Sequence, residues 1–408
     1  MEDERFLKRL LSALYLGIFM VRLAYGVFYI SLPRHIDTDS EFMLGVLFAA
    51  PPFFELLAVL FIGMVIDRYG RRPVLLLCLL GATLFLGLVS VTENFWAVFM
   101  FNSGFGIAAA GILVSSMALL ADYAREERRG REIGIFEGSV LAGWAGGFIL
   151  GGILLNFAGD HVGWVFVVSA MLSLAAFIYA YFNITEPALE SNVSKDIGLD
   201  HIRSVIKQRS VLLLVLPWFV IYVLLGGLVA FAPKVGTDTL DFSPMVMGGA
   251  MGVLIIVVVL IQRFFGSLSD RFGRMPLMLA GMVGMAGLVV LGGVGISRAE
   301  SMALDDLIPV LKPWLPLLGL FVLMALAFAP ASMASLADEA QHRSKGITMG
   351  LFAMAISGGM AAGPLCLGFV SDRFGGSGVA AFVVCCMAVL VLLIILKWRV
   401  DNTQVSSG

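Results

Sequence analysis

The chain has 408 residues, 60% of them hydrophobic and 14% charged, where an ordinary soluble domain carries about 25% charged residues. Its net charge is −2, and no Lys/Arg run resembles a nucleic-acid arm, so no nucleic-acid partner is expected. The four cysteines, Cys78, Cys366, Cys385 and Cys386, all fall in apolar runs and form neither a disulfide framework nor a metal-ligand spacing.

In chain order, "MEDERFLKR" leads into the first apolar run. That run is too long for a removed signal peptide and lacks a small-residue cleavage site, so it reads as a retained first helix. Twelve runs reach the roughly 20 residues that cross a ~30 Å hydrocarbon layer. They lie near 11–30, 42–66, 73–92, 95–121, 133–157, 162–182, 211–232, 245–267, 275–296, 313–336, 347–370 and 377–397. Lys and Arg are retained on the cytoplasmic side. With both termini inside, 21 of the 27 basic residues fall at inside ends and loops. Five fall outside (Arg34, Lys234, Arg298, Lys312, Arg373), and Arg22 stays within a span. The expected location is therefore the cell membrane, with a lipid bilayer around the chain and both termini cytoplasmic.

Span one carries Arg22 and span two carries Glu55, both near mid-depth. A charge there costs a few kcal/mol, so it marks chemistry. Glu55 lies 12 residues before Asp67, or roughly 18 Å along a helix. Pro51 and Pro52, one turn away, are expected to bend the helix toward a cavity. Burial favours the neutral form of Glu55 and a nearby guanidinium favours its charged form, so a shift in either moves a proton. Tyr25, Tyr29, Asn102, Trp144, Trp218, Tyr222 and Gln262 are candidate cavity residues, with Tyr25, Trp144 and Tyr222 carried forward as substrate candidates. Glu137 and Arg263, nearer the inside surface, are expected in a cytoplasmic ionic network.

The loop "GMVIDRYGRRPV" (63–74) places one Asp and three Arg between two spans, and "GSLSDRFGRMP" (266–276) repeats it. Gly63, Asp67, Arg68, Gly70 and Arg71 map onto Gly266, Asp270, Arg271, Gly273 and Arg274 at a constant offset of 203. "LLADYAREERRGREIGIF" (119–136) maps onto "SLADEAQHRSKGITMGLF" (335–352) at offset 216, pairing Asp122 with Asp338 and Gly134 with Gly350. The polar stretch 183–210 separates the copies. Ile202, Val205 and Ile206 within it share a helical face suited to the membrane surface. The organisation read from this is a six-helix bundle over 1–182, a cytoplasmic linker over 183–210 and a second bundle over 211–408. A third "DRFG", at 372–375, aligns Asp372 with Asn156 rather than Asp67 and reads as an outside loop feature. Internal duplication of this kind suits a transporter that rocks two halves about a midplane site.

Gly63, Asp67, Arg68, Gly70, Arg71 and Arg72 resemble the signature loop of the major facilitator superfamily, and the resemblance covers nearly the whole chain. It implies an all-α membrane protein of twelve transmembrane helices in two pseudo-symmetric six-helix bundles, working by alternating access as a monomer without a cofactor. It also implies that Asp67 associates with the start of the eleventh helix, near Gly346 and Ile347, in the state closed to the cytoplasm. By symmetry Asp270 approaches Glu132 and Ile133. The arginines, including Arg271 and Arg274, are expected to pair with Asp122, Glu126 and Glu127, or with Asp338 and Glu339, as a conformational latch. Gly134, Gly143, Gly147 and Gly151 resemble the glycine motif of the family's drug/proton antiporters, with Phe148 where the family has Pro. Gly350, Gly359, Gly363 and Pro364 match it in the eleventh span, where Leu367 replaces the last Gly.

No Gly-Lys-Ser/Thr nucleotide loop, metal-ligand cluster or Gly-x-Ser-x-Gly elbow occurs, and all four histidines are expected in loops. These absences argue against an enzyme. The readings are a proton-coupled exporter of a hydrophobic or amphipathic small molecule, a proton-coupled importer of a small organic anion using Arg22, and a lipid-flipping transporter. A non-transporting sensor of the same fold is the reading from another class.

Overall fold

A computed structural model describes residues 2–36, 38, 40–123, 129–159, 161–186, 209–238, 241–299, 312–333, 335 and 345–405. Among the described residues the chain is helical, with no strand. The helices are α1 (Glu2–His35), α2 (Glu41–Tyr69), α3 (Arg71–Val89), α4 (Phe95–Tyr123), α5 (Arg129–Ala158), α6 (Gly163–Asn183), α7 (Arg209–Asp238), α8 (Pro244–Phe272), α9 (Arg274–Ala299), α10 (Leu315–Leu326) and α11 (Lys345–Val405). Backbone polar groups have no water partner in lipid, which leaves the helix as the form these apolar runs adopt.

Among the described residues, ten stretches are long and apolar enough to cross a membrane. One of them, Gly350–Arg399, has 50 residues, enough for two crossings. It is broken only at Gly375, at φ 64°. The third "DRFG" is thus a single-residue kink in α11 rather than an extended loop. α9 adds a shorter apolar run, Arg274–Leu288.

The chain separates into two compact units, Met1–Asn192 with Gly227–Val257, and Val193–Gly226 with Val258–Gly408. In the first, α1 packs on α5 and α6, α3 on α4 and α6, and α2 on α4. Phe28, Phe48, Phe105, Phe136, Phe148 and Phe166 are its fully buried large side chains. Lys234 of α7 pairs with Glu41 of α2 at 2.7 Å. In the second unit α9 packs on α10 and α11 around Leu277, Met285, Phe328 and Ile394.

Contacts inside each unit carry the sequence repeat into three dimensions. A Cβ on Gly143 would lie 2.6 Å from the Phe19 carbonyl oxygen and 2.7 Å from Arg22 Cβ. A Cβ on Gly359 would meet the Phe219 carbonyl oxygen and Tyr222 Cβ at the same two distances. A Cβ on Gly26 would sit 2.9 Å from the Trp144 carbonyl oxygen, and one on Gly226 the same distance from that of Met360. The α1·α5 crossing and the α7·α11 crossing are therefore one backbone contact made twice, with Arg22 matched by Tyr222 and Trp144 by Met360. Only a residue without Cβ lets backbones approach this closely.

Candidate functional site

Arg22, in the middle of α1, is 9% exposed, and its Cβ rests on Gly143 of α5. Its Nε is buried without a hydrogen-bond partner, and it makes no ion pair among the described residues. Its guanidinium carbon lies 5.9 Å from the centre of the Tyr25 ring, within cation–π range. Two carboxylates, Glu55 of α2 and Glu137 of α5, feel its charge. Glu137, expected in a cytoplasmic network, thus has Arg22 as its electrostatic neighbour; the side chain of Arg263 lies outside the described residues.

An aromatic wall stands beside this cation. Tyr25 meets Trp144 at 4.9 Å, Tyr29 at 4.8 Å and Phe105 at 4.7 Å between ring centres. Trp144 also stacks on Phe148 at 5.6 Å. Phe148 stands where the antiporter motif has Pro; here it is fully buried as the next layer under Trp144. Of the substrate candidates, the structure gathers Arg22, Tyr25 and Trp144 in one place, with Glu55 in electrostatic range. Tyr222 belongs to the other unit, where its ring lies 6.1 Å from that of Trp218.

The proline pair of α2 explains two further candidates. Pro51 and Pro52 lack the N–H groups that would bond the carbonyls of Leu47 and Phe48. Asn102 of α4 donates its Nδ2 to Leu47 O at 2.6 Å, and Tyr29 of α1 donates its hydroxyl to Phe48 O at 3.3 Å. Neighbouring helices thus supply both missing donors, one turn before Glu55. The Tyr25 hydroxyl in turn donates to that of Tyr29 at 3.4 Å. Asn102, 1% exposed, is a donor to a helix break and not a cavity residue.

At the other end of α2, Gly70 closes that helix and opens α3 at φ 94° and ψ 162°. Gly273 repeats the left-handed turn at φ 85°. The sequence reading missed what Gly70 faces. The Glu186 carboxylate accepts the backbone N–H of Arg71 at 2.8 Å and that of Arg72 at 2.6 Å. An acid at a helix N-terminus satisfies orphan donors and suits the dipole. A Cβ on Gly70 would lie 2.7 Å from Glu186 Oε1, so only glycine fits both the angle and the ligand. Arg71 Nε approaches Asp122 Oδ2 at 2.9 Å as an ion contact without hydrogen-bond alignment. Arg72 donates to Tyr181 O at 2.9 Å. Arg68 lies over the Tyr69 ring at 5.4 Å. Asp67 is exposed and makes no hydrogen bond or ion pair among the described residues. Glu132, expected near Asp270, accepts the Tyr15 hydroxyl at 2.5 Å.

Several expectations fall outside the described residues: Glu126, Glu127, Asp338, Glu339, His201, His342 and the linker face of Ile202, Val205 and Ile206. The same holds for the side chains of Asp270 and Ile347. One expectation is corrected. His35 is not in a loop but in the last turn of α1, buried, with Nε2 at 2.9 Å from the carbonyls of both Val89 and Thr92.

The Major Facilitator Superfamily model matches residues 14–303 and 264–407. The chain belongs to that superfamily. It is 25% identical over 293 residues to the "Multidrug resistance protein MdtG" of Salmonella typhimurium, covering 68% of this chain and 70% of that protein. Its fold is similar to that of a bacterial homologue of the human lysosomal transporter Spinster, at TM-score 0.74 and 16% identity over 97% of each chain. The nucleoside transporter NupG is similar at TM-score 0.70 and 14% identity, over 96% of this chain and 99% of that one. The protein is thus a transporter of the superfamily, not an enzyme, and an integral membrane protein acting on small molecules.

Proposed function

We propose that the protein is a proton-coupled exporter of a hydrophobic or amphipathic small molecule, working as a monomer by alternating access in the cell membrane, with both termini cytoplasmic. The observation that carries this reading is a cation inside a span, Arg22, within electrostatic range of Glu55 and beside the Tyr25–Trp144 aromatic wall. Glu55 is the proton carrier and Arg22 sets its affinity. The multidrug protein among the relatives supports the outward direction. The glycines Gly134, Gly143, Gly147 and Gly151, with Gly350, Gly359, Gly363 and Pro364, support exchange. The loop residues Gly63, Asp67, Arg68, Gly70, Arg71 and Arg72 with Asp122, and their repeat at Asp270, Arg271, Gly273, Arg274 and Asp338, act as a cytoplasmic latch. Asp67→Asn raises cysteine accessibility from the cytoplasmic side and slows transport without unfolding the protein.

The deciding experiment is flux into proteoliposomes under an imposed pH gradient, against a broad ligand panel. A charge moving through 100 mV gains about 2.3 kcal/mol, roughly a fifty-fold accumulation. Glu55→Gln removes the response to the gradient and leaves gradient-independent exchange. Flux that requires ATP or Na⁺, or an unchanged gradient response in Glu55→Gln, overturns the reading. A second reading, uptake of an organic anion with protons, is favoured by Arg22 having no ion pair among the described residues. An anion that takes Arg22 removes the counter-charge from Glu55, so anion and proton then bind together.

A further inference from the structure

One side chain fixes the register of α1 against α2. Tyr29, 3% exposed, donates its hydroxyl to Phe48 O at 3.3 Å, and the Tyr29 and Phe48 rings lie 5.1 Å apart. As consecutive spans, α1 and α2 run in opposite directions. Seven residues before Tyr29 stands Arg22, and seven residues after Phe48 stands Glu55. Seven residues are two helical turns, so each charge shares a face with its end of the contact, roughly 10 Å along. Arg22 and Glu55 are therefore level with one another, and the carboxylate feels the cation. They nonetheless make no ion pair among the described residues.

The tie exists because Pro52 has no N–H to give the Phe48 carbonyl. Tyr25, under the Arg22 guanidinium, donates in turn to the Tyr29 hydroxyl at 3.4 Å. Both tyrosines lie in electrostatic range of Arg22 and of Glu55. These three residues of α1 are the ionisable groups that face Glu55. α4, packed on α2, has no ionisable side chain from Phe95 to Ala121, and α3 offers Cys78, packed on Ala58 and Ile62. Glu137 of α5 is in range of Arg22.

The second copy lacks every part of this arrangement. At the spacings that relate α1 to α7 and α2 to α8, Arg22, Tyr29, Pro51, Pro52 and Glu55 correspond to Tyr222, Val229, Leu254, Ile255 and Val258. Both copies form the two helices, so the helices need neither the tie nor the break. Tie, break and charges occur together or not at all.

We infer that Tyr29 is a positioning residue: its hydroxyl holds α1 to the carbonyl that Pro52 leaves free, and so keeps Arg22 and Glu55 level but apart. This rests on reading Glu55 as the proton carrier, and it names what keeps that carboxylate free to exchange its proton. A carboxylate closed on a guanidinium by paired hydrogen bonds is held in its charged form. With the tie cut, the two charges draw together, because a buried charge without a partner is costly.

The test is an infrared pH titration of the Glu55 carboxyl in the full-length protein, in nanodiscs without ligand. Each spectrum is taken against the matching Glu55→Gln protein, which isolates the one group. Tyr29→Phe is expected to move the midpoint to lower pH by about half a unit or more, roughly threefold in proton affinity. Asn102→Ala frees the neighbouring Leu47 carbonyl without touching the tie; it lowers the melting temperature and leaves the midpoint in place. Pro52→Ala gives Phe48 O a helical N–H in place of the Tyr29 hydroxyl and moves the midpoint as Tyr29→Phe does. That change heals a helix, so it still decides should Tyr29→Phe fail to fold. In an Arg22→Gln background Tyr29→Phe moves nothing, since its effect runs through the cation. An unmoved or raised midpoint in folded Tyr29→Phe, an equal shift in Asn102→Ala, or a shift that survives in Arg22→Gln overturns the inference. A parent in which Glu55 does not titrate overturns it together with the proton-carrier reading. An unmoved midpoint with flux that follows the pH gradient strikes the positioning role alone. A midpoint that moves as expected, with flux indifferent to the gradient, strikes proton coupling alone.

Discussion

The α1·α5 and α7·α11 crossings share their backbone contacts and differ in what they carry. Gly143 and Gly359 sit against equivalent carbonyls and Cβ atoms, and Gly26 and Gly226 do the same. The first crossing holds a buried arginine, an indole and a stacked phenylalanine. The second holds Tyr222, Met360 and Pro364 at the corresponding positions. α2 has an interior proline pair, whereas α8 has proline only at its first residue. Duplication preserved the geometry that lets the helices touch, since that geometry tolerates no added atom. The chemistry moved to one side, because a side chain that projects away from the crossing is free to vary.

The largest expected effect tests the shared part. Gly143→Leu and Gly359→Leu each push a side chain into backbone, which cannot yield as a side-chain tip would. Each should cost about 3 kcal/mol or more, and neither variant should be recovered as a monodisperse protein. If one of the pair melts like the parent, the two crossings are not equivalent.

The next test addresses the part that differs. Arg22→Gln should lower transport about tenfold or more, whereas Tyr222→Phe should stay within about threefold, read as initial rates in proteoliposomes. Comparable losses in the two variants would mean that both crossings contribute to the site. The sign of a pH effect sharpens this further. Anion binding that tightens as pH falls shows anion and proton binding together, as uptake requires. Anion binding that weakens as pH falls shows competition, as exchange requires.

Asn102→Ala leaves the Leu47 carbonyl without the donor that Pro51 took away. An unsatisfied buried carbonyl costs about 1–3 kcal/mol, visible as a lower melting temperature in detergent. The repeat helix α8 has no such break, so a donor-removing change there should have no counterpart effect. Glu186→Ala is smaller, about 1 kcal/mol, because α3 keeps its other contacts after losing an N-terminal acceptor. It should also loosen the turn at Gly70, read as faster amide exchange at Arg71 and Arg72. Unchanged exchange would reduce Glu186 to a passive neighbour.

Parts of this site were legible without a structure. Arg22 and Glu55 stand out because lipid makes any charge in an apolar run conspicuous. Pro51 and Pro52 announce that the carbonyls of Leu47 and Phe48 need donors, but the donors come from α4 and α1, 55 and 19 residues away. Glu186 gave one signal, a lone carboxylate just past the sixth span on the basic side of the membrane. Its partners are more than a hundred residues back in the chain. His35 read as a loop residue because the first apolar run was placed near 11–30, yet α1 continues through it and buries it.

The sequence by itself determined the helices, their number and the duplication. A backbone in lipid must satisfy its own hydrogen bonds, so apolar length translates directly into spans. A constant offset of glycines and charges survives because the turns and crossings they make admit few substitutes. Tertiary structure alone decided which side chains share a neighbourhood: Arg22 with the Tyr25–Trp144 wall, Asn102 with the break in α2, Glu186 with the start of α3. Those contacts depend on how each helix is rotated about its axis and which neighbour it meets. Periodicity in a uniformly apolar helix carries almost no information about that rotation, because no polar face marks the outside.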